Sequence, residues 1–168
     1  MNMNNLNRQN DKGNEIAFRI KLENENALKF VKYFEGDKAS IIRENLNINK
    51  GILTYNYMPI NENLSIKENE LFDGAIIKVS NQLYSMKFKN PHTGQIKTLC
   101  LDEDCPVGIA ILIYCFERKA IYKVLNDKLL FLFNGLKLSI QDKISLKEKF
   151  SYNLHPVISV EDNLYLIG

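Results

Sequence analysis

The sequence predicts an α+β chain in which one ββαββ unit occurs twice in tandem. Three observations carry that reading. Short runs alternate apolar and polar residues with period two, as half-buried strands do. Turn residues (Gly, Pro, Asn, Asp) separate these runs at hairpin spacing. The order of elements from Glu15 to Asn81 then returns from Gln82 to Asp162. A repeat of this kind outranks any single motif, because it sets the architecture.

The first copy follows a stretch, residues 1–14, that is rich in Asn and poor in apolar residues and is expected to be disordered. Ile16 to Leu22 alternates strictly and reads as a strand. Asn24-Glu25-Asn26 supplies a turn, and Leu28 to Phe34 returns as the hairpin partner. Asp37 is a candidate cap for a short helix that carries Ile41, Ile42 and Leu46 and ends near Gly51. Ile52 to Met58 is a third strand. An irregular stretch, Pro59 to Phe72, leads through Asp73-Gly74 to a last strand, Ala75 to Ser80.

The second copy repeats this order. Leu83 to Lys89 is a strand, Pro91-His92-Thr93-Gly94 a turn, and Gln95 to Leu101 the returning strand. Asp104 and Pro106 read as N-cap and first-turn proline of a helix reaching about Lys123. Leu129 to Phe133 forms the third strand, closed by the tight-turn pair Asn134-Gly135. Leu138 to Asn153 is irregular, and His155 to Val160 is the last strand. The domains are therefore expected at 15–81 and 82–162, with residues 163–168 as a free C-terminal tail.

The second helix is unusually apolar. Ile109, Leu112, Ile113 and Phe116 recur at i, i+3, i+4 and i+7 and are expected to fill the core. Ile111, Tyr114 and Cys115 on other faces are apolar too, and a helix apolar nearly all round is usually buried all round. That second face is expected to meet the other domain or another chain, so Ile111, Tyr114 and Cys115 are candidate partner residues.

Composition excludes more than it asserts. A net charge of +2 over 168 residues is too weak to argue for nucleic acid or anionic lipid. The longest apolar run, Val107 to Phe116, is shorter than the ~20 residues a bilayer span needs. No basic-then-apolar leader opens the chain. Cys100, Cys105 and Cys115 match neither a CxxC pair nor a Cys/His metal spacing, and read as reduced thiols of a cytosolic protein. His92 and His155 read as surface residues. Asp102-Glu103-Asp104 is explained by a helix N-terminus, which favours negative charge. No Ser/His/Asp order, phosphate loop or metal site is evident, so the chain is expected to be no enzyme and to need no cofactor.

Leu130-Phe131-Leu132-Phe133-Asn134-Gly135-Leu136-Lys137-Leu138, then Ile144-Ser145-Leu146 and Pro156 to Val160, resembles the second half of a ubiquitin-like β-grasp domain. The first copy resembles the same fold through Leu53 to Tyr57, Leu64-Ser65-Ile66 and Asp73 to Val79. Two such domains in tandem resemble the interferon-stimulated two-domain ubiquitin-like modifier and the bacterial Bil-type antiphage proteins.

That resemblance implies a protein modifier. A β-grasp strand would feed the tail Asn163-Leu164-Tyr165-Leu166-Ile167-Gly168. Glycine has no Cβ, so a tail stopping on it suits threading into an enzyme channel. An activating enzyme would adenylate the Gly168 carboxylate and take it as a thioester. A conjugating enzyme would pass it to a target-protein lysine as an isopeptide bond, and an isopeptidase would remove it. Leu164, Tyr165, Leu166 and Ile167 would be read by the channel. The tail differs from that of ubiquitin: Ile167 stands in place of a second glycine, and no Arg precedes it. Leu132 matches the position that carries ubiquitin's apolar recognition patch. The alternative from another class is a non-conjugated β-grasp adaptor, binding or self-associating through the apolar helix. A sulfur carrier shares the fold and the glycine end, but such carriers are usually single domains.

Overall fold

The computed structural model describes residues 12–22, 28–126, 128–151 and 153–162. The chain divides into two compact units, Met1–Gln82 and Leu83–Gly168, hereafter domain 1 and domain 2.

Domain 1 contains β1 (Glu15–Lys21), β2 (Leu28–Phe34), α1 (Ser40–Asn45), β3 (Ile52–Tyr55), β4 (Met58–Pro59) and β5 (Ile76–Ser80). Domain 2 contains β6 (Leu83–Lys89), β7 (Ile96–Asp102), α2 (Val107–Glu117), α3 (Ile121–Leu125), β8 (Leu129–Phe133), β9 (Leu136–Leu138), α4 (Leu146–Phe150) and β10 (Val157–Asp162). The sheet orders are β2-β1-β5-β3-β4 and β7-β6-β10-β8-β9. Each has an N-terminal antiparallel hairpin, a last strand inserted parallel to the first, and a helix crossing between. This is the topology of a ubiquitin-like β-grasp domain, present twice. The fold class is α+β, two tandem ubiquitin-like β-grasp domains.

Alternation sets the cores. In β1 the buried residues are Ile16, Phe18 and Ile20, and in β6 Tyr84, Met86 and Phe88. Domain 2 builds its centre from aromatic rings: Phe88 stacks on Tyr114 with centroids 4.4 Å apart, and both meet Phe131 edge-on. Such pairs prefer offset stacks or edge contacts because ring faces are negative and ring edges positive. Domain 1 has no ring cluster of this kind among its described residues. Its helix region is held by Arg43, which grips Glu62 with both Nε and Nη2 (2.8 and 2.7 Å) and donates to the carbonyls of Ile48 and Gly51.

The helix N-termini are docked in one way in both copies. Ala39 and Ser40 donate to the carbonyls of Leu64 and Glu62; Val107 and Gly108 donate to Ile144 and Asp142. Loop carbonyls thus satisfy amides that a helix start leaves unpaired. Gly108 is required there, since a Cβ would stand 2.2 Å from the Ile140 carbonyl oxygen. This corrects two expectations. Neither Asp37 nor Asp104 caps a helix. Asp37 accepts from Phe34 N and from the Lys12 ammonium, and Pro106 occupies the N-cap of α2 without a side-chain bond. The acidic run belongs to the β7–α2 connection instead: Asp102 accepts from Asp104 N, and Glu103 pairs with Lys147 at 3.1 Å.

Other differences have local causes. The helix predicted to Lys123 stops at Glu117, because Lys119 turns left-handed (φ +52°) before α3 begins. The third strand of domain 1 is cut at Asn56 and Tyr57, both with positive φ, a turn of the same kind as Asn134-Gly135. The irregular stretch of domain 2 contains α4, started by a reciprocal bond pair between Ser145 and Glu148. Ser65 and Glu68 repeat that pair in domain 1. Lys12 to Asn14, expected to be disordered, are tied down by Glu35 and Gly36 amides on the carbonyls of Asn14 and Lys12. The predicted turn at Asn24-Glu25-Asn26 lies outside the described residues.

Candidate functional site

The helix α2 inverts the expected assignment of its faces. Val107, Ala110, Ile111, Tyr114 and Cys115 are the buried ones, at i, i+3, i+4, i+7 and i+8. Ile111 and Cys115 are fully buried, and Tyr114 is 8% exposed. These three are therefore core residues of domain 2 and not a partner surface. Of the residues expected inside, Ile109 and Phe116 stand outside, whereas Leu112 and Ile113 pack in part against the same core. Phe116 is 76% and Ile109 37% exposed, with Leu112 and Ile113 half-buried beside them. Both faces have the helical period and similar side chains, so periodicity alone could not choose between them. Gly108 decides the rotation: lacking a Cβ, it fits against the loop that carries Ile140.

Burial also settles the thiols. Desolvation pushes Cys105 up to about 12 and Cys115 up to about 11, so both stay protonated and unreactive. Cys100 is exposed on β7. His92 and His155 are both exposed. No group of three His, Cys, Asp or Glu among the described residues could hold a metal. No helix among them is long and apolar enough to cross a membrane.

Leu132 lies on the face of the domain 2 sheet opposite to the core that α2 covers. In β8 the buried Phe131 points to the core, so Leu130 and Leu132 face outward, both half-buried. Register places Leu132 between Ser159 of β10 and Lys137 of β9. Val157, half exposed, lies two residues along β10 on the same face and pairs with Lys87 of β6. The result is an apolar strip, Leu130, Leu132 and Val157, edged by exposed Lys87, Lys89 and Lys137, with the half-buried Glu161 opposite Leu130. Apolar centre and cationic rim suit a protein surface of apolar and acidic character. Leu130, Val157 and the lysines were not singled out from sequence, although strand alternation carries the signal once the core-facing residue is known.

A second feature sits where β10 leaves the sheet. A groove of about 330 Å³ is lined by Tyr114, Arg118, Tyr122, Lys123, Leu129 and Asp162 among others. Lys123 and Asp162 close one side of it with an ion pair at 2.7 Å. Asp162, the last residue of β10, lines this groove. Gly168 and the tail residues Leu164, Tyr165, Leu166 and Ile167 lie outside the described residues.

No family model and no curated protein matches the chain. Among solved structures it is similar to the ubiquitin-like domain of yeast Ddi1, at 18% identity and a TM-score of 0.39. That match covers 49% of this chain and 94% of the Ddi1 domain. The fold assignment rests on the strand order and register described above.

Proposed function

We propose that the chain is a ubiquitin-like modifier, joined to target-protein lysines through the Gly168 carboxylate. The observation that carries this reading is the path of β10. β10 is an inner strand flanked by β6 and β8, and in sequence it is followed by Asn163 to Gly168. An inner strand held on both sides belongs to a rigid body that a partner enzyme can grip.

In this reading the protein supplies an acyl carbon and docking surfaces, and its partners supply the chemistry. An activating enzyme forms the acyl-adenylate at Gly168 and then a thioester, which splits one difficult acyl transfer into easier steps. A conjugating enzyme passes the acyl group to a lysine ε-amine, and an isopeptidase reverses the bond. The strip around Leu132 is the surface for these partners, and the protein is itself no enzyme and needs no cofactor. The tandem layout fits a place in antiviral defence, as in the two-domain modifiers it resembles.

The exposed Ile109 and Phe116 on α2 favour one second reading, a non-conjugated adaptor that binds through this helix face. The two readings separate in cells that carry the chain with its genomic neighbours. Under the modifier reading, deleting Gly168 abolishes higher-mass adducts and Phe116→Glu leaves them in place. Adduct-free cells, with partner capture lost on Phe116→Glu and kept on Gly168 deletion, would establish the adaptor instead.

A further inference from the structure

The two sheets expose equivalent edges and protect them differently. Ser85 and Lys87 of β6 donate to the carbonyls of Leu154 and Pro156, toward β10. Alternation then gives the β6–β7 bonds to Tyr84, Met86 and Phe88, paired with Leu101, Leu99 and Lys97. The backbone groups of Ile96, Thr98 and Cys100 therefore point away from the sheet. All three residues are exposed, and none carries a charge.

In domain 1, Arg19 donates toward β5, so the outward positions of β2 are Leu28, Phe30 and Lys32. There Lys32 stands at the edge, held by Glu15 at 2.9 Å. A lysine on an edge strand discourages pairing with another chain, because its charge would have to be desolvated or crowded. In domain 2 the lysine of the edge strand, Lys97, sits at an inward position and is drawn over the core face to Glu117, which leaves three consecutive outward positions uncharged.

We infer that β7 is a self-association edge, pairing antiparallel with β7 of a second copy about a two-fold axis at Thr98. The register is self-complementary. Thr98 meets Thr98 of the second copy, and Ile96 meets Cys100, so the outward amides and carbonyls of all three residues are paired with no charge placed opposite a like charge. The flank of α2 supports the same occupant. Glu117 pairs with Lys97 at 2.6 Å, which shows that this side of the helix overhangs β7. Ile113, one turn earlier on that side, is apolar and half-buried. A two-fold axis normal to the sheet keeps both helices on one face, so Ile113 of each copy lines the seam.

The test is sedimentation velocity on the full chain across a wide concentration range, comparing wild type with Thr98→Pro and Thr98→Lys. Proline at an outward position removes one intermolecular donor and leaves the β6–β7 bonds intact. The wild type is expected to show a concentration-dependent dimer and both variants to remain monomers, with circular dichroism unchanged. If Thr98→Pro misfolds, Thr98→Lys decides the question. A nitroxide on the exposed Cys100 gives an independent reading, because the register sets its two Cα positions roughly 15 Å apart. A wild type that is monomeric throughout, variants that dimerise as well as wild type, or labels far apart in the dimer would each overturn the inference. So would a monomer whose β7 instead takes up an extended peptide from another protein.

Discussion

Domain 1 and domain 2 share a strand order, a loop-docked helix start and a buried apolar core, yet they hold the helix on that core with different additions. Domain 2 has an 11-residue helix and stacks Tyr114 on Phe88 beside Phe131. Domain 1 has a six-residue helix, and Arg43 ties its flanking segments to Glu62. An apolar cluster excludes water over a wide area, whereas a partly exposed ion pair adds orientation and little net free energy. Both copies are thus stabilised mainly by packing, and in domain 1 a polar clasp additionally orients the segments beside the helix.

Three substitutions sharpen that contrast. Phe131→Ala has the largest expected effect, destabilising domain 2 by about 3–5 kcal/mol, since it removes a buried ring and leaves a cavity. Hydrogen exchange resolved by residue should show the loss in β6, β8 and β10 and none in β1 and β5. Equal loss in both domains would mean that they unfold as one unit. Arg43→Ala should cost domain 1 about 1–2 kcal/mol, because Glu62 loses its partner while both groups remain partly wet. Its signature is faster exchange around Ile48 and Gly51, with domain 2 unaltered. The smallest effect is expected for Ser145→Ala, about 1 kcal/mol, from loss of the cap on α4. The equivalent Ser65 starts only a turn, so Ser65→Ala should do still less, which thermal melts of the two variants would compare.

Much of the fold was legible because a strand's period of two is unambiguous. Leu83–Lys89 lies where alternation puts it, and Leu129–Phe133, apolar throughout, lies where the turn residues that bound it put it. The helix caps were not legible, because tertiary carbonyls from distant loops replace local side chains at both helix starts. The start of α4 was legible and was missed: Ser145 followed three residues later by Glu148 is a reciprocal capping pattern, and Ser65 with Glu68 repeats it. The rotation of α2 depended on Gly108 meeting the Ile140 carbonyl, a contact between residues far apart in sequence. That is why Ile111, Tyr114 and Cys115 changed sides with Ile109 and Phe116. Leu132 could be placed on the outer face only once Phe131 was known to face the core, because every residue of β8 is apolar. The lysines around it required the register of four strands.

The measurement that bears most directly on the modifier reading is peptide mass spectrometry of the chain captured from cells carrying its genomic neighbours. Digestion should yield branched peptides in which the Gly168 carboxyl is joined to a lysine ε-amine of another protein. Captured partners that are bound only non-covalently, with Gly168 recovered as a free carboxylate while the activating enzyme is present, would contradict it.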